Sequence, residues 1–217
     1  MEASAITARL ETCYTAVVHD IMRKMGFRDF VLPSNLRPIL PDQILAGPIF
    51  TILGKVDPTA DPHETLLAWT GLLSACPEGH VWVNQTQDNE VAHMGELSAE
   101  TLRDKGVRGA VVDGMARDIS FLKKLKFQTF CSGFTPRDIV GWWLPAATQI
   151  PIRIGMVDIK PGDYILGDID GLIRIPQEHI EDIVTQAEHD IGTESAIRKA
   201  IQQGIDPQEA YLKYGKF

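Results

Sequence analysis

A chain of 217 residues that is 44% apolar and 23% charged has enough apolar content for one buried core and little room for two. Its formal net charge of −8 argues against a phosphate-backbone partner, which needs clustered Lys and Arg; the one dense basic group, Lys123, Lys124 and Lys126, reads as the solvated face of a short helix. Cysteines without a Cys-x-x-Cys pair, no charged leader before an apolar core, and no apolar run near the roughly 18 residues that span a bilayer lead to the expectation of a soluble cytoplasmic protein.

Leu10, Val17, Val18, Ile21, Met22 and Met25 recur at helical spacing and stop at Gly26, so residues 1–26 read as an N-terminal helical segment, either two short helices or one bent one. Pro33, Pro38, Pro41 and Pro48 mark a loop over 30–47 before a strand at 49–53. Asp57, Pro58, Asp61 and Pro62 mark another loop, followed by a helix over 64–75 and a strand over 81–84. The pattern then gives a helix over 97–105 stopped by Gly106, an apolar strand over 110–113, a helix over 119–125, and strands over 128–131 and 150–158. In the run 164–175, Asp170-Gly171 sits between two alternating apolar segments and signals a hairpin, which makes Asp168 and Asp170 turn residues rather than metal ligands. Ile180, Ile183, Val184, Ala187 and Ile191 form a helical stripe expected to break at Gly192, with a further helix over 194–203 and a last one beginning at Pro207; 177–217 is thus a C-terminal helical extension. Strands outnumber core helices and no repeat or linker divides the chain, so one mixed α/β domain over 1–217 is expected.

The chemistry concentrates in two short pieces. Gly95-Glu96-Leu97 is followed, with twenty residues between Glu96 and Arg117, by Arg117-Asp118, and each piece opens a helix. Helix N-termini carry free N–H groups and positive potential that suit carboxylate or phosphate. Arg117 adds a planar guanidinium able to grip a carboxylate through two bonds, and Asp118 is a hard oxygen ligand suited to Mg²⁺ or Mn²⁺. Together they outline a metal-assisted site for a small oxoacid. The local alternative is that Asp118 caps its helix and Glu96 complements a helix dipole.

Other chemistries lack their residues. His19, His63, His80, His93, His179 and His189 form no His-x-x-x-His pair, although His93, near Gly95, is a candidate to line the pocket. No Gly-x-Ser-x-Gly elbow, phosphate-binding loop or dinucleotide fingerprint occurs, which also argues against a methyltransferase. A Schiff-base route needs a Lys made nucleophilic by its surroundings, and Lys55, beside a strand, is the one least easily dismissed.

The stretch AHMGELSAETLRDKGVRGAVVDGMARDISFL resembles the family of the ribonuclease activity regulator A, which includes the class II 4-hydroxy-4-methyl-2-oxoglutarate aldolases. TAVVHDIMRKMG, PEGHVWVN, SGFTPRDIVGWW, IKPGDYILGDIDGLIRIP and the closing EAYLKYGKF also resemble family segments, so the likeness covers nearly the whole chain. The resemblance implies a three-layer β/β/α swivelling-type domain with terminal helices, assembled as homotrimers that sometimes pair into hexamers, with the site near a subunit interface. It implies that Arg117 holds a pyruvate moiety, that Asp118 binds the metal, and that Gly95, Glu96, Leu97 and Ser98 contact substrate through backbone amides. Glu96 fills an acidic position that members acting only as ribonuclease regulators tend to lack. His80 stands where Asp is common, and His19 and Trp142-Trp143 are less usual, which bears on the far half of the substrate. The implied function is a Mg²⁺- or Mn²⁺-dependent aldolase, a lyase cleaving a 4-hydroxy-2-oxo acid such as 4-hydroxy-4-methyl-2-oxoglutarate to pyruvate and an oxo compound, with oxaloacetate decarboxylase activity beside it. The alternative is a non-catalytic regulator that binds a ribonuclease or helicase.

Overall fold

The computed structural model describes residues 2–215; Met1 and the Lys216-Phe217 end of the EAYLKYGKF stretch lie outside the described residues. Two short helices open the chain, α1 (Ala3–Leu10) and α2 (Thr15–Lys24), and Gly26 at φ 87° ends the second, with the Phe27 N–H returning to the Met22 carbonyl at 3.0 Å. A two-residue edge strand, β1 (Arg37–Pro38), lies inside the expected loop, and β2 (Leu45–Val56) starts at Leu45 rather than 49. Pro48 is tolerated in that strand because pairing with the parallel neighbour β3 (Val81–Gln85) begins only at Ile49 opposite Val81. Between them α3 (Pro62–Ala75) begins at Pro62, not 64. Asp61 accepts the His63 and Glu64 N–H groups and proline fills the first helical position, so residues read as loop are a helix start.

Then come α4 (Glu96–Asp104), β4 (Gly109–Asp113), β5 (Met115–Ala116), α5 (Ile119–Leu125), β6 (Thr129–Cys131) and β7 (Gly133–Phe134). A strand not anticipated from the sequence, β8 (Trp143–Thr148), pairs antiparallel with β2; its Pro145 and lack of alternation hide it. It packs so tightly that a Cβ on Gly54 would fall 2.0 Å from the Trp143 ring. The strand expected over 150–158 is two, β9 (Ile152–Ile154) and β10 (Val157–Ile159), folded back at Gly155, whose φ of 59° suits glycine. The hairpin at Asp170-Gly171 is present as β11 (Tyr164–Asp168) and β12 (Gly171–Ile175). α6 (Ile180–Gln202) passes through Gly192 without a break, and α7 (Pro207–Tyr214) follows. A helical glycine costs only about 1 kcal/mol against alanine, and burial of Ile197 and Ala200 beyond it keeps the helix going.

The main sheet runs β1-β6-β4-β3-β2-β11-β12, with β6, β4, β3 and β2 parallel. Strand alternation separates two cores. Trp82, Ala110 and Val112 face Trp69, Leu102 and Leu122 of α3, α4 and α5. Val81, Val83, Val111 and Phe130 face Ile152, Ile154, Ile165 and Leu172 from β9, β11 and β12. Tyr164, Leu166, Ile173 and Ile175, on the outer side of that second β layer, are covered by α1, α2 and α6. The result is a mixed α/β domain in three layers with terminal helices outside, as the resemblance implied. The sheet curls nearly into a barrel: the Arg37 guanidinium donates to the Ile169 and Asp170 carbonyls at 3.4 and 3.3 Å, joining the β1 edge to the β11–β12 turn. No helix among the described residues is long and apolar enough to cross a membrane.

Candidate functional site

Two backbone strips meet at the ends of the parallel strands. Beyond β4 the chain runs through β5 beside residues 92–94: the His93 N–H donates to the Met115 carbonyl and the Arg117 N–H to the Met94 carbonyl, both at 2.9 Å. This ladder brings Gly95 against Arg117 and Asp118, residues more than twenty positions later. A Cβ on Gly95 would lie 2.8 Å from Asp118 Oδ2 and 3.1 Å from Arg117 Cγ, so only glycine admits both side chains.

Asp118 adopts the left-handed conformation (φ 56°, ψ 36°), which aspartate tolerates better than most residues. Its side chain makes no cap bond to its own helix α5, which corrects the local helix-cap alternative. Instead Oδ2 accepts the Glu96 N–H at 3.1 Å, at the start of α4. Only the α4 N-terminus therefore takes part. Its first intrahelical bond, from the Ala99 N–H to the Gly95 carbonyl at 3.0 Å, leaves the Leu97 and Ser98 N–H groups ahead of it for solvent or a ligand. The Ser98 hydroxyl accepts the Trp69 indole N–H at 3.0 Å, which ties α4 to α3.

Arg117 reaches both ways: Nε lies 3.5 Å from Asp118 Oδ2 and Nη1 3.5 Å from Asp138 Oδ2, with all three side chains 38–46% exposed. Ion pairs this exposed contribute little to stability, so the guanidinium can exchange partners for an incoming carboxylate at small cost. The cleft around this cluster holds about 410 Å³. Gly95, Glu96, Leu97, Ser98, Arg117 and Asp118 all line it, and Leu66, Trp69, Leu73, Ile139 and Val140 form its apolar side.

Asp138, in the TPRD piece of the SGFTPRDIVGWW stretch, was not singled out from the sequence, and neither was Asp88. Asp88 is buried and outside the cleft lining: Oδ2 accepts the Glu90 and Val91 N–H groups at 2.9 Å, and Oδ1 accepts the Trp142 indole N–H at 3.0 Å. Burial pushes its carboxyl up, but these bonds and nearby His93 outweigh it and leave it below the ordinary value. His93 is fully buried, 3.7 Å from Asp88 Oδ2 and edge-on to Trp143 at 4.9 Å. Burial pushes its imidazole down to about 4 against the pull of Asp88, so it is neutral near pH 7. His93 does not line the cleft, contrary to the expectation. Lys55 is exposed at the end of β2 and is also outside the cleft. Asp168 accepts the Thr15 N–H and hydroxyl and the Asp170 N–H, the structural role read for it.

The parallel strands of this mixed α/β domain end at a half-exposed arginine flanked by carboxylates and facing a helix N-terminus. Residues 15–174 match the family described as RraA-like, Aldolase/RraA, and the chain belongs to that family. It is 28% identical over 186 residues to a Halalkalibacterium halodurans protein provisionally named a 4-hydroxy-4-methyl-2-oxoglutarate aldolase, covering 84% of this chain and 83% of that one. An uncharacterized Pseudomonas syringae protein of known structure superposes with a TM-score of 0.87 at 25% identity, over 98% of this chain and 95% of the other. Streptomyces coelicolor RraAS2, described as an unusual member of the RNase ES inhibitor RraA family, shares the fold at a TM-score of 0.79 and 23% identity, over 89% and 96% of the two chains.

Proposed function

We propose that the cleft is the active centre of a divalent-metal-dependent lyase that splits a 4-hydroxy-2-oxo acid into pyruvate and an oxo compound and decarboxylates oxaloacetate. The observation that carries this reading is the meeting of Arg117 and Asp118 with the α4 N-terminus across Gly95. The similarity to the Halalkalibacterium protein points the same way.

The donor set fits a magnesium-type ion and not a protein cage. Among the described residues no three His, Cys, Asp or Glu side chains gather to hold a metal. Asp118 Oδ2 is fixed by the Glu96 N–H while Oδ1 has no hydrogen-bond or ion-pair partner among the described residues, leaving one oriented oxygen donor. Mg²⁺ keeps several waters and needs only one or two carboxylates with the substrate completing its shell. Asp118 would hold the ion, with Glu96 on the rim. When bound, such an ion supplies Lewis acidity that stabilises the negative charge developing on the pyruvate half.

Arg117 grips the 1-carboxylate through paired hydrogen bonds, and the Leu97 and Ser98 N–H groups add fixed positive potential beside it. The C4 hydroxyl gives its proton to Glu96 through an intervening water. The C3–C4 bond then breaks, C4 becomes a carbonyl, and the electron pair passes to the pyruvate half as an enolate, which takes a proton at C3. In oxaloacetate the same bond breaks with CO₂ as the leaving group and the same enolate results. Mg²⁺ or Mn²⁺ serves as cofactor, and a homotrimer or paired trimers, with the cleft near a subunit boundary, is part of this reading.

The test is pyruvate release from a panel of 4-hydroxy-2-oxo acids and oxaloacetate, with and without a chelator. Metal-dependent release is expected. Failure with every substrate and every divalent metal would leave the alternative, a non-catalytic regulator of a ribonuclease or helicase.

A further inference from the structure

Three backbone strips carry the groups around Arg117, and they are bonded to one another. Residues 92–94 pair with 115–117 through the His93 and Arg117 N–H groups. The third strip, 135–137, joins both: the Thr135 N–H donates to the Ala116 carbonyl at 3.1 Å, and the Ala92 N–H donates to the Arg137 carbonyl at 2.9 Å. The first strip leads into Gly95 and the start of α4, the third into Asp138.

Asp88 sits where the first and third strips join. Oδ2 holds the Glu90 and Val91 N–H groups and so turns the chain into the first strip, while Oδ1 takes the indole N–H of Trp142, beyond the third. Its side chain is only 3% exposed, so these are bonds to a carboxylate away from water, strong when made and costly to leave unmade. The surface half of the junction is different. Arg137 pairs with Glu90 at 2.8 Å, but the two side chains are 48% and 64% exposed and such a pair contributes little. The Asp88 bonds lie inside one chain and do not depend on what a neighbouring subunit adds to the cleft.

We propose that Asp88 is a positioning residue: its carboxylate ties the 88–95 strip to the 135–143 segment and thereby sets the α4 N-terminus and Asp138 on either side of Arg117. It acts through these groups and lies outside the cleft lining. Its effect on catalysis rests on the lyase reading, whereas the tie between the segments does not.

Asp88→Asn separates the two functions of the carboxylate. The amide oxygen still accepts the Glu90 and Val91 N–H groups, but the NH₂ meets the Trp142 N–H donor to donor, so the cross-tie alone is lost. Trp142→Phe breaks the same bond from the other side and keeps a ring beneath Arg137. Hydrogen exchange should quicken by about 10-fold or more in peptides covering 89–95 and 135–142 of either variant, and stay unchanged over 109–113 of β4. At a temperature below both unfolding midpoints, kcat for pyruvate release should fall by about 10-fold, since a 1 Å misplacement costs about 100-fold. KM should stay within about 3-fold, because Arg117 keeps its own bond to Met94. The double variant should lose no more than either single one, as both remove one bond. Unchanged exchange, loosened strips with wild-type kcat, or losses that multiply in the double variant each overturn the positioning role. Should Asp88→Asn fail to fold, Trp142→Phe carries the same exchange and kcat comparison. If the unaltered protein releases no pyruvate from any substrate, the lyase reading falls by itself and exchange alone decides the tie.

Discussion

Asp118 holds Glu96 by its backbone: one carboxylate oxygen takes the N–H that opens α4, across 22 positions of chain. The bond fixes the carboxylate through Oδ2 and leaves Oδ1 without a partner among the described residues, so a residue that could have been a private helix cap lines the cleft instead.

Asp118→Asn keeps an oxygen able to accept the Glu96 N–H but removes the charge a hard cation needs. Metal-dependent pyruvate release should fall by about 100-fold or more, with the thermal midpoint nearly unchanged. Wild-type turnover in this variant would remove Asp118 from the mechanism.

Gly95→Ala adds a methyl where 2.8 Å separates the built Cβ from Asp118 Oδ2. The Asp118 carboxylate must shift and Arg117 must give by a few tenths of an ångström, and since a 1 Å misplacement is worth about 100-fold in rate, a loss of roughly 10-fold is expected. The loss should appear in kcat/KM, while the far-UV spectrum and the unfolding midpoint stay close to wild type. An alanine variant of full activity would show that the close approach is irrelevant to chemistry.

Arg117→Lys retains charge but loses the planar fork. Inhibition by pyruvate should weaken by about 10-fold, and Arg117→Ala should weaken it further. Steady-state inhibition constants measure this directly, and a constant unmoved in both variants rules out Arg117 as the carboxylate clamp.

His93 makes stability sensitive to acid. Its folded-state pKa is depressed by burial from 6.5 to about 4, so the unfolded chain binds a proton that the folded protein refuses. Stability should be fully present above about pH 6.5 and decline as pH falls toward 4, by at most about 3 kcal/mol at roughly 1.4 kcal/mol per unit. Asp88, held below its ordinary value, adds a loss only at lower pH, as it too is protonated. Urea midpoints at pH 7 and pH 5 should differ clearly in the wild type and less in His93→Leu; a wild-type midpoint that rises on acidification would contradict the assignment.

The spacing of Val17, Val18, Ile21 and Met22, the Asp170-Gly171 turn and the apolar 110–113 run were legible because helical and strand periodicity and turn chemistry act over a few residues. Gly192 misled for the opposite reason: a local penalty of about 1 kcal/mol was outweighed by packing that the stripe alone does not show. Trp143–Thr148 had no local signal at all, since its place in the sheet comes from β2 and the Gly54 gap.

The Glu96, Arg117 and Asp118 pattern, with Gly95 before it, was fully present in the sequence, as were the mixed α/β class and a formal net charge of −8. Which partner Asp118 takes, that Asp138 joins Arg117, that His93 turns into the core, and that one side of the cleft is hydrocarbon were decided by the tertiary structure. Residue type and spacing act along the chain, whereas these contacts exist only once β5 lies beside residues 92–94 and α3 packs against α4, bringing together side chains that the sequence keeps far apart.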